Sequence, residues 1–139
     1  MVQLIVGNKG KGKTKHLLDK VNSQVLDATG NIVYIDKNTK HMYELNNKVR
    51  LIDVSDYMVT TSEEFIGFLC GIISQDHDLQ MMFLDNFLSI SYLDGKDMTP
   101  VVDKIEKLGE NFGIDFVLSV GVNAEELPEA LKEKVIVSL

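Results

Sequence analysis

Short apolar runs, each followed by a polar loop or a segment of helical spacing, constrain this chain more than any other feature. Val2-Gln3-Leu4-Ile5-Val6 runs into Gly7, and Ile32-Val33-Tyr34-Ile35 ends at Asp36. Met81-Met82-Phe83-Leu84 ends at Asp85, and Phe116-Val117-Leu118-Ser119-Val120 and Val135-Ile136-Val137-Ser138 follow. Residues 49–54 make a further short strand. Runs that are apolar at successive positions belong to strands covered on both faces. Between them, Leu17, Leu18, Val21, Val25 and Ala28 recur at helical spacing, and Gly30 is the expected stop. Thr61 and Glu64 have the capping-box spacing at the start of a helix carrying Phe65, Ile66, Phe68, Leu69, Ile72 and Ile73. Thr99-Pro100 reads as an N-cap followed by proline in the first turn, and Gly113 as the end of that helix. Residues 37–48 and 86–98 read as loops with short helical turns near 41–45 and 87–90, and residues 124–133 as a short acidic helix. The alternation predicts an α/β fold in three layers: a mainly parallel sheet of five to six strands with helices on both faces. With 139 residues and no linker composition, residues 1–139 are predicted to form one domain.

Charge and composition exclude several roles. The net charge is −7, and Arg50 is the only arginine beside thirteen lysines. Sequence-independent nucleic-acid binding needs a basic surface, so no general nucleic-acid binding is expected. Four of the lysines crowd into residues 9–15, which leaves a local basic patch open. The longest apolar stretch, residues 65–73, is far below the ~20 residues that cross a bilayer, so no membrane insertion is expected. The start of the chain lacks the basic and apolar regions of a signal peptide. Cys70, the single cysteine, sits in that apolar stretch and is predicted to be buried; alone it supplies neither a disulfide nor a zinc cluster. His16 and His41 have no metal-binding spacing, and His16 is predicted to face solvent. A cytoplasmic protein is expected.

Gly7-Asn8-Lys9-Gly10-Lys11-Gly12-Lys13-Thr14 fits the pattern G-x-x-x-x-G-K-[ST] in full, after an apolar strand and before an amphipathic helix. Glycine reaches backbone dihedrals closed to other residues, so the loop can turn its N–H groups inward around a phosphate. The helix start adds further free N–H groups and a positive dipole end. Lys13 would reach the β- and γ-phosphates, and the Thr14 hydroxyl is a hard oxygen suited to Mg²⁺. Gly7, Asn8, Lys9, Gly10, Lys11, Gly12, Lys13, Thr14 and Lys15 are the predicted nucleotide-binding residues. The expected ligand is a nucleoside triphosphate, ATP with Mg²⁺. Lys9 and Lys11 read as loop charges that strengthen anion binding. Asp85, after four apolar residues, is the predicted second magnesium ligand, through water, and a catalytic residue with Lys13. Its alternative is an ordinary acid at a strand end.

On these motifs, residues 2–20 and 79–86 resemble the P-loop NTPase superfamily, with its Walker A and Walker B elements. A strand predicted between those two elements in space resembles the RecA-like branch. The resemblance implies a P-loop NTPase fold with strand order 135–138, 2–6, 114–120, 80–85, 31–36 and 49–54. The whole chain is also similar to small bacterial P-loop proteins labelled as twitching-motility ATPases or ATP-binding proteins. Ile5-Val6-Gly7-Asn8-Lys9-Gly10, Tyr34-Ile35-Asp36-Lys37 and His41-Met42-Tyr43-Glu44-Leu45 carry that likeness. Retraction motors are much longer chains with acidic and histidine boxes that have no counterpart here, so a motility role is not implied.

Departures from the pattern limit the chemistry. RecA-like ATPases place a glutamate beside the Walker B aspartate as general base. Here Asn86 follows, and an amide cannot take a proton at neutral pH. Asp36, Asp76, His77 and Asp78 are the alternatives, although each reads more readily as a solvated loop residue. Ser119 resembles a sensor of the γ-phosphate, or is a strand hydroxyl satisfied by backbone. Arg50 is the only candidate arginine finger, in this chain or supplied to a neighbouring one, but it reads more readily as a solvated strand residue. Asn8 stands where deviant Walker A proteins carry an extra lysine. An ATP-binding protein with weak or partner-dependent ATPase activity is therefore expected, with an unidentified protein partner. A small nucleoside or metabolite kinase is the alternative, although one arginine cannot build the usual lid. A non-catalytic nucleotide-binding module is the third reading. A GTPase is disfavoured because Gly121-Val122-Asn123-Ala124 replaces the guanine-reading N-K-x-D.

Overall fold

The computed structural model describes residues 1–139. Six parallel strands form one sheet: β1 (Val2–Val6), β2 (Asn31–Asp36), β3 (Val49–Asp53), β4 (Leu79–Leu84), β5 (Asp115–Val120) and β6 (Val135–Ser138). Their order across the sheet is β3-β2-β4-β5-β1-β6, all neighbours parallel. This is the order that the resemblance implied. Val2 lies opposite Phe116 and Val6 opposite Val120, which brings the ends of β1 and β5 level.

Helix α1 (Lys13–Asp27) covers one face, and α2 (Ser62–Ser74), α3 (Phe87–Ile90) and α4 (Thr99–Phe112) lie on the other. Alternate strand residues feed the two cores. Ile5, Ile32, Tyr34, Phe83 and Val117 meet Leu17, Leu18, Val21 and Val25 of α1. Leu4, Val6, Val33, Ile35, Met82, Leu84 and Leu118 meet Phe65, Leu69 and Ile73 of α2 and Val102 and Ile105 of α4. Strand residues pointing both ways into apolar cores give the unbroken runs of the central strands. The edge strands β3 and β6 instead alternate in burial, because each has a flank and part of a face in solvent. A fully buried leucine such as Leu69 contributes enough that Leu69→Ala would cost about 2–5 kcal/mol.

Several local expectations change. The Thr61 hydroxyl accepts from the Glu64 N–H at 3.1 Å, as the capping pattern predicted. The Glu64 carboxylate, however, reaches back to the N–H of Thr60, not of Thr61, at 2.8 Å. Thr99 lies inside α4; Met98 is its N-cap, and the Asp97 carboxylate takes the Thr99 N–H at 3.0 Å. Gly30 is not a left-handed helix stop. A Cβ there would sit 2.3 Å from the carbonyl oxygen of Asp78, so glycine lets the α1–β2 turn pass the start of β4. The acidic helix expected over 124–133 is two 3₁₀ turns, Ala124–Glu126 and Glu129–Lys134. Pro128 separates them by holding Leu127 extended, at ψ 144°. Cys70 is exposed, not buried, because α2 turns that side outward. No helix is long and apolar enough to cross a membrane.

Candidate functional site

The glycine-rich loop joins the carboxyl end of β1 to the start of α1, so it lies where the parallel strands all end. Gly10 and Gly12 adopt φ of 86° and 90°, in the left-handed region that glycine enters without the penalty of a Cβ. Gly12 is the N-cap of α1, and no side chain caps the helix start. The first-turn N–H groups are therefore free of side-chain acceptors, as an anion site at a helix N-terminus requires. Gly7 N–H donates to the Val120 carbonyl at 3.3 Å, and Lys11 N–H to the Asn8 carbonyl at 3.3 Å. The Lys13 ammonium folds back to the Asn8 carbonyl at 3.1 Å. Partial burial lowers the Lys13 pKa from its ordinary value, and the negative charge of Asp85 opposes that shift.

Asp85 is the centre of the polar network beside this loop. It follows β4, is 3% exposed, and has both carboxylate oxygens engaged. Oδ1 accepts from Thr14 Oγ1 at 3.2 Å and from Ser119 Oγ at 2.8 Å. Oδ2 accepts from Tyr34 Oη at 2.8 Å. Burial, with the charge and hydrogen bond of Asp85, raises the Tyr34 pKa, so the phenol keeps its proton and donates. Four elements thus converge on one carboxylate: α1, β2, β4 and β5. Ser119 also accepts the Asn86 N–H at 2.6 Å, so its hydroxyl bridges β5 to the turn after β4. Ser119 belongs to the site, but its partners here are Asp85 and Asn86.

Asn86 has a backbone reason for its identity. It sits at φ 59°, ψ 55° as the N-cap of α3. Asparagine enters this left-handed region more readily than most non-glycine residues. The position that would hold a glutamate in the resemblance is shaped here for a turn.

The four alternative proton acceptors separate by the ends of the strands they adjoin. Asp76, His77 and Asp78 precede β4 and lie at the amino end of the sheet, where the Asp78 carbonyl accepts the Asn31 N–H at 2.7 Å. Asp76 holds the Asn31 side chain there at 3.0 Å. They are remote from the loop. Asp36 ends β2 at the carboxyl end and is 7% exposed. Burial, then the charge of Asp85, pushes its pKa up to about 6. Its Oδ1 accepts the Lys37 N–H at 2.7 Å.

A cleft of about 760 Å³ opens above these groups. Of the predicted loop residues, Lys9, Gly10, Gly12, Lys13 and Thr14 line it, together with Asp85 and Ser119. Gly7, Asn8, Lys11 and Lys15 do not; Lys15 pairs with Asp19 at 3.3 Å on the exposed side of α1. His16 is exposed, as expected. Lys40, His41, Ser89 and Asp94 also line the cleft, and no sequence pattern assigned them to the site. Lys40 and His41 come from the loop after β2, Ser89 from α3 and Asp94 from the loop after it, and only the tertiary fold brings them to the glycine-rich loop. Arg50 lies elsewhere. It belongs to the outer strand β3 and lines a separate cavity of about 730 Å³ with Tyr57, Phe68 and Asp76. No group of three or more histidine, cysteine or acidic side chains is arranged to hold a metal ion. The oxygens offered at the loop are instead the Thr14 hydroxyl and the Asp85 carboxylate. No protein-family model matches the chain, and no curated protein matches it.

Proposed function

We propose that this chain binds a nucleoside triphosphate, ATP with Mg²⁺, in the cleft above Gly10, Gly12, Lys13 and Thr14. The observation that carries the reading is the pairing of Thr14 Oγ1 with Asp85 Oδ1 at 3.2 Å, directly beside a glycine-rich helix start. A hydroxyl and a carboxylate side by side are hard oxygens of the kind Mg²⁺ selects, and magnesium commonly keeps several waters that such groups orient. The bound ion would offset phosphate charge. The helix N–H groups and Lys13 would hold the phosphates, with Lys13 exchanging the Asn8 carbonyl for a phosphate oxygen.

Hydrolysis by this site would be slow without a partner. The residue after Asp85 is an asparagine held in a left-handed turn, and Asp36 does not line the cleft. The exposed Asp94 is the other acid that lines the cleft beside Asp85. The single arginine, Arg50, lies on the outermost strand, away from the cleft. A binding protein whose turnover depends on a partner fits this arrangement better than a self-sufficient ATPase.

Isothermal titration with Mg-ATP tests the reading. Saturable binding is expected, lost or strongly weakened in Lys13→Ala. Absence of binding at millimolar nucleotide, with the variant indistinguishable from wild type, would refute it.

A further inference from the structure

The cleft is also lined by a cation from the loop after β2, the strand on the side of β4 away from β1. Residues 37–48 leave β2 and fold back over α1. Asn22 of α1 fixes this segment twice: its Nδ2 donates to the Glu44 carbonyl at 2.7 Å, and its Oδ1 accepts the Asn46 N–H at 2.8 Å. The Asn38 side chain closes a tight turn by accepting the Lys40 N–H at 3.0 Å. The base of the segment is held too, because the Lys37 ammonium stands 4.7 Å from the centre of the Tyr92 ring. Lys40 is thereby presented to the cleft from a segment anchored at both ends.

The charges around Lys40 indicate what it would meet. His41, its neighbour, already pairs with Glu44 at 2.9 Å. Lys40 forms no ion pair within 4 Å, its charge reaching Asp36 only from a distance, while Lys13 is turned to a carbonyl. Lys9, Lys13 and Lys40 are the three lysines lining the cleft, and only Lys40 is contributed from outside the glycine-rich loop. A phosphate chain cradled by the loop would have its first phosphates beside the helix start. Its far end would lie towards the Thr14–Asp85 pair, beside which β2 and the loop that follows it stand.

Resting on the nucleoside-triphosphate reading, we propose that Lys40 contacts the terminal phosphate and makes the site prefer a triphosphate to a diphosphate. The contact is a charge-assisted hydrogen bond from a flexible point charge to a phosphate oxygen. A diphosphate bound in the same cradle ends short of it. The preference is built in by the anchored segment rather than by an arginine.

The test compares titrations of Mg-ATP and Mg-ADP into wild type, Lys40→Ala, Lys40→Arg and Lys13→Ala. Lys40 is exposed, and thermal melts of each variant check that folding is unchanged. Wild type is expected to bind ATP more tightly than ADP. Lys40→Ala should weaken ATP about tenfold, the equivalent of ~1.4 kcal/mol, with ADP affinity unchanged. Lys40→Arg should restore most of the difference, and Lys13→Ala should weaken both nucleotides. Equal weakening of ATP and ADP in Lys40→Ala, or no weakening of either, overturns the role of Lys40 and leaves the binding reading intact. If wild type binds neither nucleotide, both fall.

Discussion

Tyr34 Oη donates to Asp85 Oδ2 at 2.8 Å, so the strand next to β4 holds the carboxylate that also meets the glycine-rich loop. Tyr34 is fully buried and stacks on Phe83, with ring centres 6.4 Å apart. Tyr34→Phe keeps that packing and removes only the hydroxyl. It leaves one oxygen of a buried carboxylate without its donor and should cost about 1–3 kcal/mol. Urea unfolding of the two proteins measures the loss. An unchanged midpoint would mean that Oδ2 finds another donor.

Asp36 gives stability a pH dependence of known sign. Its carboxyl ordinarily titrates at 3.8 and does so at about 6 in the folded protein. The folded state therefore binds the proton more tightly than the unfolded chain. The contribution of Asp36 to stability falls as pH rises from about 4 to about 6, then levels off. Asp36→Asn keeps an oxygen to accept the Lys37 N–H but carries no charge. The variant should match wild type near pH 3.5 and exceed it by about 2–3 kcal/mol at pH 7. Denaturant midpoints across that range test this; a constant difference between the two proteins would contradict it.

The same substitution at two glycines should act in opposite directions. At Gly30 a Cβ would lie 2.3 Å from the Asp78 carbonyl oxygen, so the backbone must move and Gly30→Ala should lower stability by about 1–3 kcal/mol. At Gly71, exposed on α2, nothing lies within 4 Å of an added Cβ. Gly71→Ala should raise stability by about 0.5–1 kcal/mol through better helix propensity and a less flexible unfolded chain. Thermal melts of both variants decide the pair.

Removing Arg50 should leave the nucleotide site alone. β3 is the outermost strand, and three strands separate it from β1. Arg50→Ala should change Mg-ATP affinity and turnover by no more than the ~0.5 kcal/mol typical of a remote surface substitution. Turnover measured against protein concentration extends the test to a neighbouring chain. A loss that appears only at high concentration would assign Arg50 a role across an interface.

The fold was legible because the central strands are buried on both faces and announce themselves as apolar runs. Strand order followed from the resemblance, not from the runs. The site was half legible. Lys13, Thr14 and Asp85 sit on or beside regular elements, where spacing predicts position. Lys40 and Asp94 sit on connections whose paths depend on contacts such as Asn22 with Glu44 and Lys37 with Tyr92. No local pattern encodes those contacts. The separation of Asp36 from Asp76, His77 and Asp78 had a usable signal. In a parallel sheet, residues that precede a strand lie at the opposite end from residues that follow one. Gly30 was misread for another reason: a glycine after a helix can serve backbone dihedrals or close approach, and sequence does not distinguish the two.

The placement of β1 between β5 and β6 has a consequence for how the protein is made. Of the six strands, the one that leads into the glycine-rich loop is made first, and its two neighbours are the last two to follow. Pairings of such long sequence separation carry a large loop-closure cost and form slowly. Until β5 arrives, β1 has neither neighbour, Gly7 lacks its Val120 acceptor, and Asp85 lacks Ser119. The loop therefore stays unset while β2, β3 and β4 are made, and ligand can reward folding only once β5 has followed them.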